Sequence, residues 1–189
     1  MYIVDAAKQE RDKYTEIWSL PSYRDYSPGR ENVDRFLSVM KPDRGQSLID
    51  IGCGTGEAGL ALEKHGLRVH WLDITNAALD PEISRANFIG KPIWSDWCRG
   101  AGWEYGFCCD VLEHMPTEYA MLAVDRIIAN CDTAWLQICF VPDEFGKAIG
   151  EPLHLTVRPF SWWLVRMATL GTVIDARDLG KDGLFVVKR

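Results

Sequence analysis

The sequence has no long apolar run, its first ten residues do not show the pattern of a secretory leader, and its cysteines show no disulfide pattern. None of its apolar runs approaches the about 20 residues needed to cross a bilayer. Residues 1–10 mix polar side chains with charges of both signs, which is not the pattern of a signal peptide. The six cysteines have neither the spacing of a zinc site nor that of a disulfide framework. We therefore expect free buried thiols in a cytoplasmic protein that makes no membrane contact.

Basic charge is also scarce. The formal net charge is −6 and the pI is about 5.2, which argues against non-specific nucleic-acid binding through a basic face. A local basic patch, and with it a nucleic-acid partner, stays open. The 189 residues contain no internal repeat and no low-complexity segment, and this length suits one compact domain. We expect a helical and loop-containing cap at residues 1–46 and a core at residues 47–189.

The most informative stretch is residues 47–57, Ser-Leu-Ile-Asp-Ile-Gly-Cys-Gly-Thr-Gly-Glu. Its apolar first half is typical of a buried strand, and the residues after it are compatible with a helix. Three glycines at alternate positions lie between the two. Such a turn lets the backbone approach a ligand closely and directs the N–H groups at the start of a helix towards it. A nucleotide-like cofactor is the first hypothesis.

In the rest of the chain, segments with the apolar periodicity of strands alternate with segments that have the periodicity of helices. Strands are predicted at residues 67–73, 87–89, 104–109 and 134–141, and helices at 1–20, 31–40, 57–65, 76–85, 117–130 and 160–170. The final strands, 172–179 and 184–188, are joined by Gly-Lys-Asp-Gly, which is a hairpin signal. This order predicts a parallel sheet with helices on both faces and one antiparallel strand near its edge.

A dinucleotide is one candidate ligand. Residues 54–59 match G-x-G-x-x-G, and Asp73 follows Gly54 by 19 residues, which is close to the spacing of a ribose-binding acid. Three features count against NAD. Asp50 precedes a glycine series that begins at Gly52, the chain ends in a hairpin, and its length leaves little room for a separate substrate domain.

Residues 50–56, Asp-Ile-Gly-Cys-Gly-Thr-Gly, resemble motif I of the class I S-adenosylmethionine-dependent methyltransferases. Residues 110–114, Asp-Val-Leu-Glu-His, are similar to the Leu-Glu-His turn of the small-molecule branch, which includes the ubiquinone-biosynthesis type of O-methyltransferase. The resemblance covers about residues 30–189. It implies a seven-stranded Rossmann-like sheet of order 3-2-1-4-5-7-6 with the last strand antiparallel. The chain departs from the family at strand four, where the early acid appears only as Glu104, and in a short region around strand three.

The resemblance implies S-adenosylmethionine as cofactor and suggests which groups would hold it. Asp73 would accept from the ribose hydroxyls, Asp96 from the adenine amine, and Trp97 would stack on adenine. The cationic sulfonium and α-amine suit Asp50. The remaining cofactor candidates are Arg24 and Tyr26 for the carboxylate, together with Gly52, Cys53, Gly54, Gly56, Ile74 and Cys109. Two alternatives stay open, a solvated Arg24 and an Asp73 that only caps the following turn.

Methyl transfer is an in-line displacement, so the enzyme chiefly aligns the nucleophile and removes a proton. The catalytic candidates are His114 as general base, with Glu113 and His154. The main expectation is a site without metal. As an alternative, Asp110-x-x-Glu113-His114 resembles the acid-x-x-Glu-His divalent-metal site of some O-methyltransferases, those of ubiquinone biosynthesis and of small-RNA 3′ ends among them. His154 would then complete the set.

The function predicted is methyl transfer to an oxygen or nitrogen of a small molecule. The turn after strand four lacks the Asn/Asp-Pro-Pro-Tyr of DNA amino-methylases, and no proline precedes Cys109 as the cytosine-C5 enzymes require. Three alternatives remain: a nucleic-acid or protein methyltransferase, a non-catalytic cofactor-binding or interaction module, and lastly an NAD(P) oxidoreductase. The sequence does not predict the oligomeric state.

Overall fold

The computed structural model describes residues 3–98 and 102–189, which build one mixed seven-stranded sheet. The strands are β1 Ser47–Ile51, β2 Arg68–Asp73, β3 Phe88–Gly90, β4 Trp103–Cys109, β5 Cys131–Cys139, β6 Thr172–Asp178 and β7 Asp182–Lys188. Their order is β3-β2-β1-β4-β5-β7-β6, and β7 runs antiparallel to both of its neighbours. The predicted fold class and strand order are confirmed.

Six α-helices accompany the sheet in the described part of the chain. They are α1 Ile3–Ile17, α2 Pro21–Arg24, α3 Pro28–Met40, α4 Glu57–Lys64, α5 Thr117–Asn130 and α6 Phe160–Leu170. Single 3₁₀ turns occur at Arg85–Asn87, Leu112–His114 and Phe145–Ala148. None of the helices in residues 3–98 and 102–189 is long and apolar enough to cross a membrane.

Two of the secondary-structure assignments made from the sequence were wrong. The predicted helix at residues 76–85 is a series of turns ending in a 3₁₀ turn. The Asp80 amide donates to the Thr55 carbonyl (3.0 Å), which ties this segment to the glycine turn, and the Asp80 carboxylate accepts from the Glu82 amide (2.8 Å) in a local turn. Residues 21–30, which lie between the helices predicted at 1–20 and 31–40, contain α2 and the first turn of α3. Pro28 is favourable at the start of α3 because the first N–H groups of a helix have no intrahelical partner.

The core lies on both faces of the sheet. On one face, α5 and α6 bury Ile127 and Trp163, and on the other, α3 and α4 bury Phe36 and Leu62. Both faces being covered explains why the central strands are almost continuously apolar instead of alternating. The carboxyl ends of the parallel strands therefore remain as the edge at which polar side chains can meet a ligand.

Candidate active site

The turn after β1 adopts a backbone that needs glycine. Gly52, Gly54 and Gly56 have φ values of 69°, 53° and 83°, in the left-handed region. A Cβ on Gly52 would lie 2.5 Å from the Val111 side chain, and one on Gly54 would lie 2.6 Å from the ring of Trp18. The glycines thus allow both the backbone shape and the close approach of neighbouring groups.

Asp73 ends β2 beside this turn and holds it. One carboxylate oxygen accepts from the Gly54 amide (2.9 Å) and the other from the Thr75 amide (3.1 Å). Burial raises the pKa of this carboxyl, while the hydrogen bonds that it accepts from Gly54 and Thr75 act in the opposite direction. A carboxylate oxygen can accept more than one hydrogen bond. Asp73 can therefore cap the turn and still accept from a ligand.

Asp50 is the second buried acid of the turn. Only 4% of its surface is exposed, and it accepts from the Gly59 amide (2.9 Å) in the first turn of α4. Burial raises its pKa to about 7, from an ordinary value of 3.8. A buried acid that titrates near neutrality favours the binding of a cation, because a cation stabilises its ionised form.

Two adjoining cavities run along the carboxyl ends of β1, β2 and β4. The first encloses about 570 Å³ with its mouth and has a largely apolar lining that includes Asp73, Ile74, Trp94 and His114. The second encloses about 530 Å³ and is lined in part by residues 26–29 and by the glycine turn. The two linings share Trp18, Tyr23, Gly52 and Asp110. The cavities are two halves of one elongated cleft.

The cleft brings together most of the predicted cofactor residues. Asp73 and Ile74 line the first cavity, Gly52 lines both, and the second cavity is lined by Tyr26, Asp50, Cys53, Gly54 and Cys109. Gly56 shapes the turn without lining either cavity. Arg24 instead donates to the Ala77 carbonyl (3.0 Å).

The structure places the predicted adenine contacts elsewhere. Asp96 is exposed, and Trp97 is buried with its indole N–H donated to the Ile93 carbonyl (2.7 Å). Within the described residues, neither of the two lines the cleft. Trp94, three residues earlier, does line it, and its ring stacks on Tyr119 at a centroid distance of 5.1 Å. The cluster of tryptophans in the sequence indicated aromatic side chains in this region, but it did not indicate which of the rings lies in the cleft.

Helix α1 crosses the cleft, which the sequence did not predict. Arg11 donates to the Ile74 carbonyl (3.1 Å), and the hydroxyls of Thr15 and Thr75 are 3.0 Å apart. The Tyr14 hydroxyl lies 2.8 Å from Nδ1 of His114. The N-terminal segment therefore supplies part of the site wall, and Tyr14 and Trp18 are site residues that sequence reasoning missed.

The turn after β4 carries the predicted catalytic residues. Glu113 is fully buried, and one of its carboxylate oxygens accepts from the Cys139 amide (2.6 Å) at the end of β5. Its backbone carbonyl accepts from Leu155 (2.8 Å) and Thr156 (2.9 Å) in the connection between β5 and α6. Glu113 thereby fixes the segment that carries His154 next to the turn.

Four possible metal ligands meet at this point. They are Asp110, Glu113, Cys139 and His154, whose ligand atoms lie within 4.8 Å of one another. The Asp110 carboxyl raises the pKa of Glu113 further above the level that burial already sets, so a shared proton or a cation must offset the two charges. The set includes Cys139, which the sequence-based alternative did not name, and does not include His114, which it did.

The two cysteines that line the cleft are unsuited to nucleophilic attack. Burial raises the thiol pKa of Cys53 and of Cys109 well above its usual range, and nearby acids raise it further. A thiol that stays protonated is a poor nucleophile. The arrangement instead provides a partly aromatic cleft with acids along it and with His114 in its lining, while His154 packs on His114 without lining either cavity. Such a cleft suits the binding of a cationic nucleoside.

Comparisons with known proteins agree with this geometry. No protein-family profile matches the chain. It is 24% identical over 119 residues to the ribosomal protein L11 methyltransferase of Campylobacter jejuni, an alignment that covers 62% of this chain and 42% of that protein. The chain thus spans less than half the length of this curated relative.

Solved structures match over more of the chain. The 1,6-didemethyltoxoflavin-N1-methyltransferase of Burkholderia thailandensis, solved with S-adenosylhomocysteine, superposes with a TM-score of 0.72 at 14% identity, covering 100% of this chain and 91% of that one. The magnesium protoporphyrin IX methyltransferase of Synechocystis PCC 6803 gives a TM-score of 0.63 at 20% identity, covering 94% and 93%. The chain has the fold of the class I S-adenosylmethionine-dependent methyltransferases.

Proposed function

We propose that the protein is an S-adenosylmethionine-dependent methyltransferase that acts on an oxygen or nitrogen of a small molecule. The observation that carries this proposal is the elongated cleft, with two buried acids at its glycine turn and a histidine pair beside Asp110. The two structural neighbours are named for small-molecule acceptors, a toxoflavin precursor and a magnesium porphyrin. They support the same acceptor class for this chain.

The nucleoside occupies the first cavity in this proposal. The ribose hydroxyls donate to the Asp73 carboxylate, which retains acceptor capacity beyond its two backbone hydrogen bonds. Adenine lies between Ile74 and Trp94, the apolar groups that line this half. Asp96 and Trp97 would reach the cofactor only after rearrangement, so Trp94 takes the stacking role that sequence reasoning gave to Trp97.

The methionine portion extends into the second cavity. The Asp50 carboxylate faces the cationic α-amine, directly or through water, and Tyr26 supplies a hydroxyl for the carboxylate. Gly52 and Asp110 line both cavities, so in this proposal the sulfonium lies between them. Arg24 remains a proposed contact to the cofactor carboxylate, provided that it leaves the Ala77 carbonyl.

Transfer then takes place beside the turn after β4. The methyl carbon leaves the sulfonium as the acceptor lone pair attacks in line, and the acceptor loses its proton to a base. We assign this step to His154, which does not itself line either cavity but packs on His114, which does. Its Nδ1 lies 2.6 Å from the Val141 carbonyl and must carry a proton there, so Nε2 of the neutral ring has a lone pair. Glu113 holds the base in place, and His114 forms another wall of the site.

Calorimetry tests the cofactor assignment. We expect S-adenosylmethionine and its demethylated product to bind with micromolar affinity, NADH not to bind, and Asp73→Asn to weaken binding at least tenfold. Asp96→Asn is the matched control, because Asp96 is exposed and outside the cleft lining. Binding of NADH in preference to S-adenosylmethionine would refute the proposal. Tight binding of S-adenosylmethionine without turnover would favour a non-catalytic module.

A metal-assisted version is the second candidate. It is favoured by the contact between the carboxyls of Asp110 and Glu113 and by the second carboxylate oxygen of Glu113, which is buried and has no hydrogen-bond partner among the described residues. Two carboxylates, an imidazole and a thiol would suit Zn²⁺ or Mn²⁺. Titration of Mn²⁺ and Zn²⁺ into wild type and Asp110→Asn tests it. Absence of binding and of any metal effect on wild-type turnover would end this version.

A further inference from the structure

Half-buried Tyr14 and buried His114 form a hydrogen-bonded pair across the cleft. Tyr14 comes from α1 and His114 from the turn after β4, 100 residues later in the chain. The hydroxyl oxygen and Nδ1 are 2.8 Å apart, and both side chains line the first cavity. A hydrogen bond at this distance fixes both rings and has one of two proton arrangements.

The hydrogen-bonding needs of the Tyr14 hydroxyl proton show which of the two arrangements is present. Among the described residues, Nδ1 of His114 is the hydrogen-bond partner of this hydroxyl. If Nδ1 carried the proton and donated it, both the phenol proton and the unprotonated Nε2 would lack partners among the described residues, whereas a donating hydroxyl leaves only the Nε2 N–H without one. The hydroxyl therefore donates and Nδ1 accepts.

The proton of the imidazole must then be on the other nitrogen. An imidazole whose Nδ1 accepts a hydrogen bond from a hydroxyl has no proton on that nitrogen, so the His114 ring is neutral. A neutral imidazole with an accepting Nδ1 carries its proton on Nε2. This Nε2 is buried and has no hydrogen-bond partner among residues 3–98 and 102–189. A buried N–H without a partner in the cleft indicates a ligand that accepts from it.

His154 has the opposite arrangement. Its Nδ1 faces the Val141 carbonyl and donates, so Nε2 carries the lone pair. The two rings contact each other at a centroid distance of 4.5 Å with an edge-to-face orientation. One histidine thus offers a proton and its neighbour offers a lone pair within the same small region.

We infer that His114, oriented by Tyr14, is a fixed hydrogen-bond donor to the methyl acceptor and that His154 is the proton acceptor. This inference rests on the proposed function. A hydrogen bond donated to the attacking atom itself would occupy the lone pair that must attack the methyl carbon. The N–H of His114 therefore binds a neighbouring atom. The acceptor class that fits has an O–H or N–H nucleophile next to a carbonyl oxygen, carboxylate or unprotonated ring nitrogen.

The step balances in atoms and charge. The acceptor oxygen or nitrogen forms a bond to the methyl carbon, and the carbon–sulfur bond breaks with its electrons going to sulfur. The acceptor proton moves to Nε2 of His154. His114 keeps its proton throughout and donates a hydrogen bond to the adjacent atom. Tyr14 is a positioning residue, since it acts on the acceptor through His114.

Nitrogen NMR tests the proton arrangement without any need for turnover. The protein has four histidines, so the ring signals of His114 can be assigned in ¹⁵N-histidine-labelled protein by comparison with a His114→Gln sample. We expect wild-type His114 to show the neutral form with the proton on Nε2, and Tyr14→Phe to show a mixture of both neutral forms. Tyr105→Phe, the same change outside the cleft, is the matched control and leaves the signals unchanged. A proton on Nδ1 in wild type would overturn the inference.

Turnover tests the role of the donor once an acceptor is in hand. His114→Gln keeps an N–H donor and should retain most of kcat/KM, whereas His114→Leu should lose about tenfold or more, as expected for one lost hydrogen bond in a buried site. Acceptor analogues without the neighbouring lone-pair atom should be poor substrates for wild type and equally poor for His114→Leu. Equal losses in the Gln and Leu variants would contradict the donor role. Failure to bind S-adenosylmethionine would refute the proposed function and leave the NMR result intact.

Discussion

Asp50 should make cofactor binding depend on pH. Burial raises its pKa to about 7 in the free protein, and a cationic cofactor binds the ionised form better than the neutral form. If only the ionised form binds, the apparent dissociation constant rises by the factor 1 + 10^(7−pH). The affinity for S-adenosylmethionine is then about tenfold weaker at pH 6 than at pH 8, which corresponds to about 1.4 kcal/mol.

Calorimetry in buffers of different ionisation enthalpy measures this effect. We expect a release of about half a proton per cofactor bound at pH 7 and close to one at pH 6. Asp50→Asn is the informative variant, because its amide oxygen can still accept from Gly59 while it cannot titrate. It should bind more weakly at pH 8 and lose the pH dependence. Wild-type affinity that is constant between pH 6 and 8, with no proton release, would refute the reasoning.

The same pKa shift predicts the stability of the free protein. A carboxyl whose pKa is higher in the folded than in the unfolded chain stabilises the fold when protonated, so the stabilisation is complete below pH 3.8 and is lost as the pH rises to about 7. Asp50→Asn should therefore raise the free energy of unfolding at pH 8, by up to roughly 4 kcal/mol for a shift of about 3 pKa units. Denaturant unfolding at pH 5 and pH 8 measures it. A variant less stable than wild type at pH 8 would contradict the buried-charge argument.

Three further changes test the geometry of the site. Gly54→Ala should lower the free energy of unfolding by more than the about 1–2 kcal/mol of a left-handed backbone alone, since its Cβ would also meet the indole packed on the turn, whereas Gly180→Ala has positive φ but open space and should show only the strain. Denaturant unfolding compares the two variants, and equal losses in the free energy of unfolding would argue against the contact between Trp18 and the turn. Trp94→Leu should weaken binding of S-adenosylhomocysteine about tenfold, with Asp96→Asn as an unaffected control in the same titration. Glu113→Ala should cost about 1–3 kcal/mol of stability, because a buried amide at the end of β5 loses its acceptor, while Glu113→Gln retains it, and thermal unfolding separates the two variants.

The sheet and the glycine turn were predictable because their signals are local. Strand, glycines and helix follow one another within residues 47–57, and the alternation of periods predicts which strands are parallel. The terminal hairpin has its own turn signal. The helix predicted at 76–85 is wrong because this segment forms turns instead, and one of them is linked to the glycine turn by a long-range hydrogen bond from Asp80 to Thr55.

The walls of the cleft were less predictable because they are formed by contacts between distant parts of the chain. The irregular stretch around Trp94 and Trp97 has no periodicity, so the sequence does not indicate which ring faces the cleft. Tyr14 meets His114 across 100 residues, and Cys139 meets Glu113 across 26. These contacts depend on how strand ends and α1 are placed in space, which no local pattern encodes.

The central claim is that this cleft transfers a methyl group from S-adenosylmethionine to a small molecule. Incubation with methyl-labelled S-adenosylmethionine and a fractionated cell extract tests it directly, with Asp73→Asn as the matched control. The account predicts label in the small-molecule fraction with wild type and a large loss of it with the variant. Label confined to protein or nucleic acid, or no label in any fraction despite tight cofactor binding, would contradict it.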